Sequence, residues 1–509
     1  MRKSFIFVLV CSCVLLGREL WGAEQAEPLR TGVFTEELTV PQELPVQGSP
    51  LSVEEATRLA LARNLDIQIA RLEIQSEAYE NQIARSIYDS QISAEATYSH
   101  DREERTSALA PKREIIGSVQ TGLEKKIPLG TTLGVEAGST RNSSPSLFST
   151  LNPHHRSFIT LSVEQPLLRN FFGYVDRNEI KKVKLNVRKF TYQKLDEIEI
   201  SLAEVRRGYW DLVLAYRNLE ARLLALRKAQ DFYSITLDKQ DLGIMENPDV
   251  FAAEANVRKR VIEVWEAVTN LYAASNRMKV LLRRPEVEFI EPRTIPEFHP
   301  LELDFDHELQ EAYESRRDLK QVLLELEQKQ IDLKISKNQL LPELQFEGNL
   351  TPSGLDEDLK ASQGEAFGFR HKTFFAGFRI STSLEQQSER AAVAQSRLFL
   401  KTAEESLEKT RLVIQQEMDD AYRRLELANR EVRQTQEIGK LQRQKLEEEE
   451  KNFNRGRSDS KTIIDFQEDV IDAEVDAIRA LIEYKHAEEN FYETQDQLFE
   501  RIGLTEEAI

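Results

Sequence analysis

Apolar residues recur at alternating spacings of three and four through Leu195, Ile198, Leu202, Val205, Tyr209, Leu212, Tyr216, Leu219, Leu223 and Leu226. That rhythm is the seam of a coiled coil rather than the broad face of a helix in a compact core. It predicts a single helix from Arg177 to Leu242, roughly 100 Å long at ~1.5 Å per residue. Ile414, Met418, Ala421, Leu425, Ala428 and Val432 repeat the rhythm more loosely. Elsewhere the period is two. Ile92, Ala94, Ala96 and Tyr98 alternate with Ser93, Glu95, Thr97 and Ser99, and Ile159, Leu161 and Val163 alternate with Thr160, Ser162 and Glu164. One apolar and one polar face is what a strand between lipid and water requires.

The two patterns occur twice. A shift that sets Asp66 on Asp318 also sets Ile92 on Leu344, Ala94 on Phe346 and Tyr98 on Leu350. A second shift sets Tyr209 on Tyr422, Leu212 on Leu425 and Gly243 on Gly456. The difference between the shifts makes the first copy longer in its middle, and the architecture is a duplicated helix–strand–strand–helix unit, mainly α with a β part. Repeat 1 is expected over 51–285 and repeat 2 over 301–503, with a proline-marked linker at 286–300 and a tail at 504–509. In repeat 1, Ser52 and Glu55 form a capping box that starts a helix running to about Tyr88. Strands follow over about 91–165, including a further hairpin at 115–139 around Pro128-Leu129-Gly130, before the long helix. Repeat 2 is simpler, with strands over about 343–384. Gly243, followed by Pro248, and Gly456, followed by Ser458 to Ser460, mark helix-to-helix tips at 243–248 and 456–461.

The N-terminus alters this picture by adding export. Arg2 and Lys3, an apolar stretch from Phe5 to Leu16 and Gly22-Ala23 make residues 1–23 a signal peptide, although Trp21 departs from the usual cleavage pattern. Val10-Cys11-Ser12-Cys13 is an alternative lipoprotein box, with Cys13 the acylated residue. Residues 24–50, with four prolines, form an extended arm. Both cysteines of the chain fall in the leader, so a disulfide-stapled scaffold is excluded. Composition is 30% charged with only 20 glycines among 509 residues, which favours long solvated helices. A net charge of −19 argues against nucleic acid as a partner. No stretch after the leader has the ~18 consecutive apolar residues of a membrane-spanning helix, so any crossing of a bilayer must use strands.

Several stretches resemble the TolC-like outer-membrane efflux proteins: LSVEEATRLALARNLDI at 51–67, VEQPLLRNFFG at 163–173, GYWDLVLA at 208–215, LLPELQFEGNL at 340–350 and FNRGRSDSKTIIDFQEDV at 453–470. The resemblance covers nearly the whole mature chain. It implies a homotrimer in which two strand pairs per chain close a 12-stranded outer-membrane barrel, continued into the periplasm by a helical tunnel. The hairpin at 115–139 leaves that strand count open. The resemblance also implies a strand-to-helix swivel at Gln165, Pro166 and Leu167. Ser383 stands where the second repeat's swivel proline is common.

Candidate sites follow from the same resemblance. Asp465 and Glu468 align with an acidic ring at the periplasmic constriction, against the plainer reading of a solvated helix face. Val250 and Ala253, at the matching positions of repeat 1, are uncharged. Crowding of like charge in such a ring would raise the carboxyl pKa values and favour cations. Gly243, Gly456, Arg457 and Ser458 lie at the tips where family members meet adaptors, and both glycines also serve as simple turn formers. His154-His155 lacks a third ligand, and Glu447 to Glu450 is a solvated face. No cofactor, metal or nucleophile motif is present in the sequence, which argues against an enzyme. The expected function is a passive outer-membrane exit duct for efflux or type I secretion, its partners a periplasmic adaptor, an inner-membrane transporter and the lipid bilayer. The competing reading is a periplasmic coiled-coil adaptor or structural spacer whose β part never enters lipid.

Overall fold

The computed structural model describes residues 48–102, 113–144, 150–243 and 245–504. The expected leader at 1–23 with Cys13, most of the extended arm and residues 505–509 of the tail lie outside the described residues. In chain order the elements are β1 (Ser49–Leu51), α1 (Val53–Arg63), α2 (Leu65–Ala78), α3 (Glu80–Arg85), β2 (Ser90–Asp101), β3 (Glu114–Lys126), β4 (Thr132–Ser143), β5 (His154–Pro166), α4 (Tyr174–Asp241) and α5 (Asn247–Leu281). After these come β6 (Ile290–Pro292), α6 (Phe305–Ser315), α7 (Arg317–Gln339), β7 (Glu343–Asp356), α8 (Leu359–Phe367), β8 (His371–Ser381), α9 (Gln387–Asn454), α10 (Ser460–Thr494) and α11 (Leu498–Arg501).

The duplication is written into element lengths. Helices α4 and α9 each have 68 residues, and α5 and α10 each have 35. The seam positions of α4 are buried inside one chain, apart from half-buried Tyr216. Ile414, Met418, Ala421, Leu425, Ala428 and Val432 on α9 are buried with Tyr484 and Phe491 of α10. These stripes therefore join helices within a protomer. They do so because a helix this long, charged on its remaining faces, gains stability only by burying a narrow stripe against a neighbour.

The single helix expected from Ser52 to about Tyr88 is broken. The capping box forms as expected, with Ser52 Oγ accepting from the Glu55 N–H and Glu55 Oε2 from the Ser52 N–H. At Asn64, however, ψ turns to 132°, ending α1 and starting α2. The Asn64 side chain accepts from the N–H groups of Asp66 and Ile67, while its amide donates to the Leu281 carbonyl at 3.0 Å. An asparagine able to cap a new helix and also bind a distant carbonyl outweighs helical continuity. Repeat 2 breaks at the equivalent place, Arg316, where ψ is 124°. A further break at Tyr79 separates α2 from α3.

The region between the repeats also does more than link them. Ser49–Leu51 and Ile290–Pro292 pair as a two-stranded parallel sheet, stitching the end of the arm to residues 286–300. Tyr209, on the α4 seam, donates its hydroxyl to the Leu51 carbonyl and accepts from the Thr294 N–H.

Candidate functional site

The main sheet has six strands in the order β2-β3-β4-β5-β7-β8, with every neighbouring pair antiparallel. Repeat 1 supplies four of them, because the expected hairpin at 115–139 becomes β3 and β4 and inserts between β2 and β5. Register decides which residues share a face. Ile92, Leu123, Val135, Leu161, Leu350 and Phe374 are successive partners across all six strands. The neighbouring row, on the opposite face, is polar in five of its six members: Ser93, Gly122, Glu136, Thr160, Thr351 and Thr373. Thr160 and Thr351 share a hydrogen bond of 3.1 Å across this face. The apolar face is open in the single chain: Ile92 is 80% exposed and Phe374 74%. Two-residue periodicity with a bare apolar face fits a wall between lipid and water. Among the described residues, no helix is long and apolar enough to cross a membrane.

One end of the sheet is tied to the helices. Pro166 closes β5, and the Leu167 N–H donates to the Leu344 carbonyl at 2.7 Å, so the swivel rests on the start of β7. Gln165 bonds both Thr131 and the Leu129 carbonyl in the β3–β4 turn. Lys126 pairs with Asp176 in the first turn of α4 at 2.7 Å. Gly130 sits so close to Gly173 that a Cβ there would meet the Gly173 nitrogen at 2.7 Å. In repeat 2 the crossover uses no proline. Gln386, at φ 47°, turns the chain into α9, its amide reaching the Leu340 carbonyl and the Thr382 hydroxyl, both at 3.2 Å. At the sheet's other end, α8 packs on β5 and β7, where Ser362 bonds Ser157 at 2.8 Å.

The opposite ends of the long helices carry the two tips. Gly243 and Gly456 have φ of 72° and 70°, the left-handed conformation that favours glycine after a helix. Both face open space on the side where a Cβ would project. Behind them the tips share a small core, with Phe232, Ala253, Phe453 and Ile463 buried and the Phe232 and Phe453 rings 5.4 Å apart. Arg457 is exposed, while the Ser458 hydroxyl is buried without a hydrogen-bond partner.

Asp465 and Glu468 lie one turn apart on α10, near the tips. Asp465 is exposed. Glu468 instead reaches to α5, where it pairs with Lys259 and has the guanidinium of buried Arg260 at 3.7 Å. The hydrogen bond from Lys259 holds the Glu468 carboxyl below its ordinary pKa. Inside the protomer the charges nearest Glu468 are cations, not another acid. Repeat 1 supplies Lys259 and Arg260 to this site in place of matching acids.

A second charged group has no sequence signature. Arg317, at the start of α7, is 1% exposed. Its Nη1 donates to Glu199 and lies 3.4 Å from Asp196 and 3.9 Å from Asp496. Its guanidinium stacks over the Phe499 ring at 4.8 Å. Glu199 also accepts from the Leu498 N–H at 2.8 Å, and Asp496 from the Arg317 N–H at 2.6 Å. Burial pushes both the Asp196 and the Glu199 carboxyls up to about 7, with Asp496 adding to the rise at each. The cluster joins the long helix of repeat 1, the first turn of α7 and the C-terminal segment. Elsewhere, His154 and His155 begin β5, with His154 Nδ1 at 3.2 Å from the Leu151 carbonyl. No group of three potential metal ligands occurs among the described residues.

Residues 309–494 match the family model described as outer membrane efflux protein. No curated protein matches the sequence significantly. Solved structures similar in fold include CusC, at 14% identity and a TM-score of 0.66, covering 87% of this chain and 91% of that one. The Campylobacter jejuni CmeC outer membrane channel matches at 15% identity and a TM-score of 0.62, covering 87% of this chain and 85% of that one. The outer membrane protein VceC of Vibrio cholerae matches at 13% identity and a TM-score of 0.63, with 87% and 96% covered. The second repeat thus carries the match to the outer membrane efflux protein family, and over most of its length the chain has the fold of these solved outer-membrane proteins.

Proposed function

We propose that the chain is the outer-membrane exit duct of a tripartite efflux or type I secretion system. It acts as a homotrimer that carries substrate passively from a periplasmic adaptor and inner-membrane transporter to the exterior. The observation that carries this reading is the sheet: one face carries an apolar row across all six strands, open outside the stretch where α8 covers β5 and β7, the other is mostly polar, and the same chain continues into helices of 68 residues. A wall of that kind belongs in lipid, and helices about 100 Å long suit the span of a periplasm. Strands β2 and β8 are sheet edges that do not pair with each other among the described residues, and open edges are not tolerated in a bilayer. Neighbouring copies would cover them. Apolar side chains exposed along α9, including Leu398, Leu412, Leu427 and Leu441, support the same association.

In this reading the sheet end is extracellular and the tips are periplasmic. Gly243, Gly456, Arg457 and Ser458 present the tips to the adaptor. Asp465 lines the constriction, and Glu468 holds α10 against α5 beside it. A periplasmic spacer accounts for the helices but leaves the apolar sheet face without a role. Light scattering in detergent, corrected for bound detergent, tests the assembly, and single-channel recording in planar bilayers tests the duct. A monodisperse monomer, or a trimer that never conducts, overturns the proposal.

A further inference from the structure

The β3–β4 hairpin sets the bore of this channel. We propose that it is part of the membrane wall, so that three copies close an eighteen-stranded barrel rather than the 12-stranded one implied by two strand pairs per chain. The inference rests on the trimeric duct proposed above and deepens it, because it fixes how wide a cargo the exit admits.

Register supplies the first support. Strand β3 pairs with β2 from Glu114 to Lys125 and with β4 from Ile115 to Lys126, and β4 pairs with β5 from Thr132 to Asn142. A hairpin folded over the sheet or standing above it would leave β2 and β5 adjacent. Here they are separated by two strands over nearly their full length. Face chemistry is the second support. Leu123 and Val135 continue the apolar row between Ile92 and Leu161, and Gly122 and Glu136 continue the opposite row between Ser93 and Thr160. A hairpin outside the membrane has no reason to keep this alternation in phase with its neighbours. The third is anchoring. The Lys126–Asp176 pair and the Gly130–Gly173 approach clamp the turn to the first residues of α4, so the hairpin stands on the helices with the other strands.

Closure follows from strand direction. β2 runs away from the helices and β8 returns to them, so β8 of one copy can pair antiparallel with β2 of the next. With strands ~4.8 Å apart and tilted by ~40°, eighteen strands enclose a backbone diameter of about 36 Å, against about 24 Å for twelve. The enclosed cross-section roughly doubles, into the range where barrels of 16–18 strands hold an aqueous channel. The exit is then a wide vestibule, and discrimination by size falls to the helical part of the duct.

The test uses full-length protein in lipid vesicles, with single cysteines placed in turn at positions 117 to 123 and spin-labelled, the unsubstituted parent serving as blank. Gly117→Cys, Val119→Cys, Thr121→Cys and Leu123→Cys should be accessible to oxygen in the lipid. Ser118→Cys, Gln120→Cys and Gly122→Cys should be accessible to a water-soluble nickel chelate. End-on particle averages of the wild-type trimer should give a barrel near 36 Å. Deletion of residues 103–149, which joins β2 directly to β5, should narrow it to about 24 Å. A trimer without the two-residue alternation, or a wild-type barrel near 24 Å, overturns the hairpin proposal and leaves the duct standing. A monomer by light scattering overturns the trimeric duct and the strand count with it. If the deletion variant does not assemble, the wild-type diameter and the labels decide.

Discussion

Replacing Arg317 with methionine should make stability strongly dependent on pH. The guanidinium is 1% exposed and sits among Glu199, Asp196 and Asp496. Methionine keeps most of the side-chain volume but removes the positive charge that these three carboxylates share. Removing one partner of a buried ionic group costs about 3–5 kcal/mol, because the remaining charge stays buried without compensation. That cost applies only while the carboxylates are ionised. Burial already holds Asp196 and Glu199 at about 7, above the ordinary carboxylate range. Between roughly pH 4 and 7 the folded chain therefore binds more protons than the unfolded chain, and the contribution of this cluster to stability falls as pH rises through that window. Arg317→Met raises both values further. Near pH 8 the variant should lose about 3–5 kcal/mol, and near pH 5 only the 1–2 kcal/mol of lost cation–π and packing contact with Phe499. The assay is scanning fluorimetry of the detergent-solubilised protein at pH 5 and pH 8, at one scan rate because unfolding of such assemblies is governed by rates. Adding Glu199→Gln should recover part of the loss at pH 8, since it removes one of the stranded charges. Equal losses at the two pH values, or no loss at pH 8, would refute the electrostatic account of the cluster.

Other outcomes follow from the packing. Leu212→Asp places a charge at a position that is fully buried within one chain, at a cost of several kcal/mol; it should abolish folded protomer, and recovery of trimer at wild-type yield would show that the seam is not a core. Leu427→Asp, on the exposed side of α9, should spare the protomer and lower the trimer fraction on unboiled gels; an unchanged fraction would remove that face from the interface. Asp465→Ala should reduce cation selectivity in planar bilayers, whereas Glu468→Gln, which breaks the partly exposed pair with Lys259, should cost no more than about 1 kcal/mol; unaltered selectivity in Asp465→Ala would leave that residue an ordinary solvated acid. Asn64→Ala removes the cap of α2 and the bond to the Leu281 carbonyl, and should cost about 1–2 kcal/mol with faster amide exchange at Asp66 and Ile67; unchanged exchange there would mean that the cap is dispensable.

The elements with a period were legible in the sequence, because period reports which face of one element is buried. The three-and-four rhythm from Leu195 to Leu226 marks a stripe that is buried in the fold, except at half-buried Tyr216. The alternation from Ile92 to Tyr98 marks the two faces of β2. The duplication and the left-handed glycines at the tips could be read for a similar reason, since each depends on residues close together in the chain. What the sequence left open was which elements meet. Nothing in residues 115–139 tells whether that hairpin stands in the sheet or outside it, as alternation describes a strand and not its neighbours. Glu468 reads as an acid among acids until α5 brings Lys259 beside it. The partners of Arg317 come from three distant segments, and no local pattern announces a buried guanidinium. Asn64 reads as one more residue of a continuous helix until the Leu281 carbonyl arrives to accept its amide. Periodicity is a local property carried by each segment alone, whereas strand neighbours, ion pairs and helix breaks depend on contacts between distant segments, which exist only once the chain has folded.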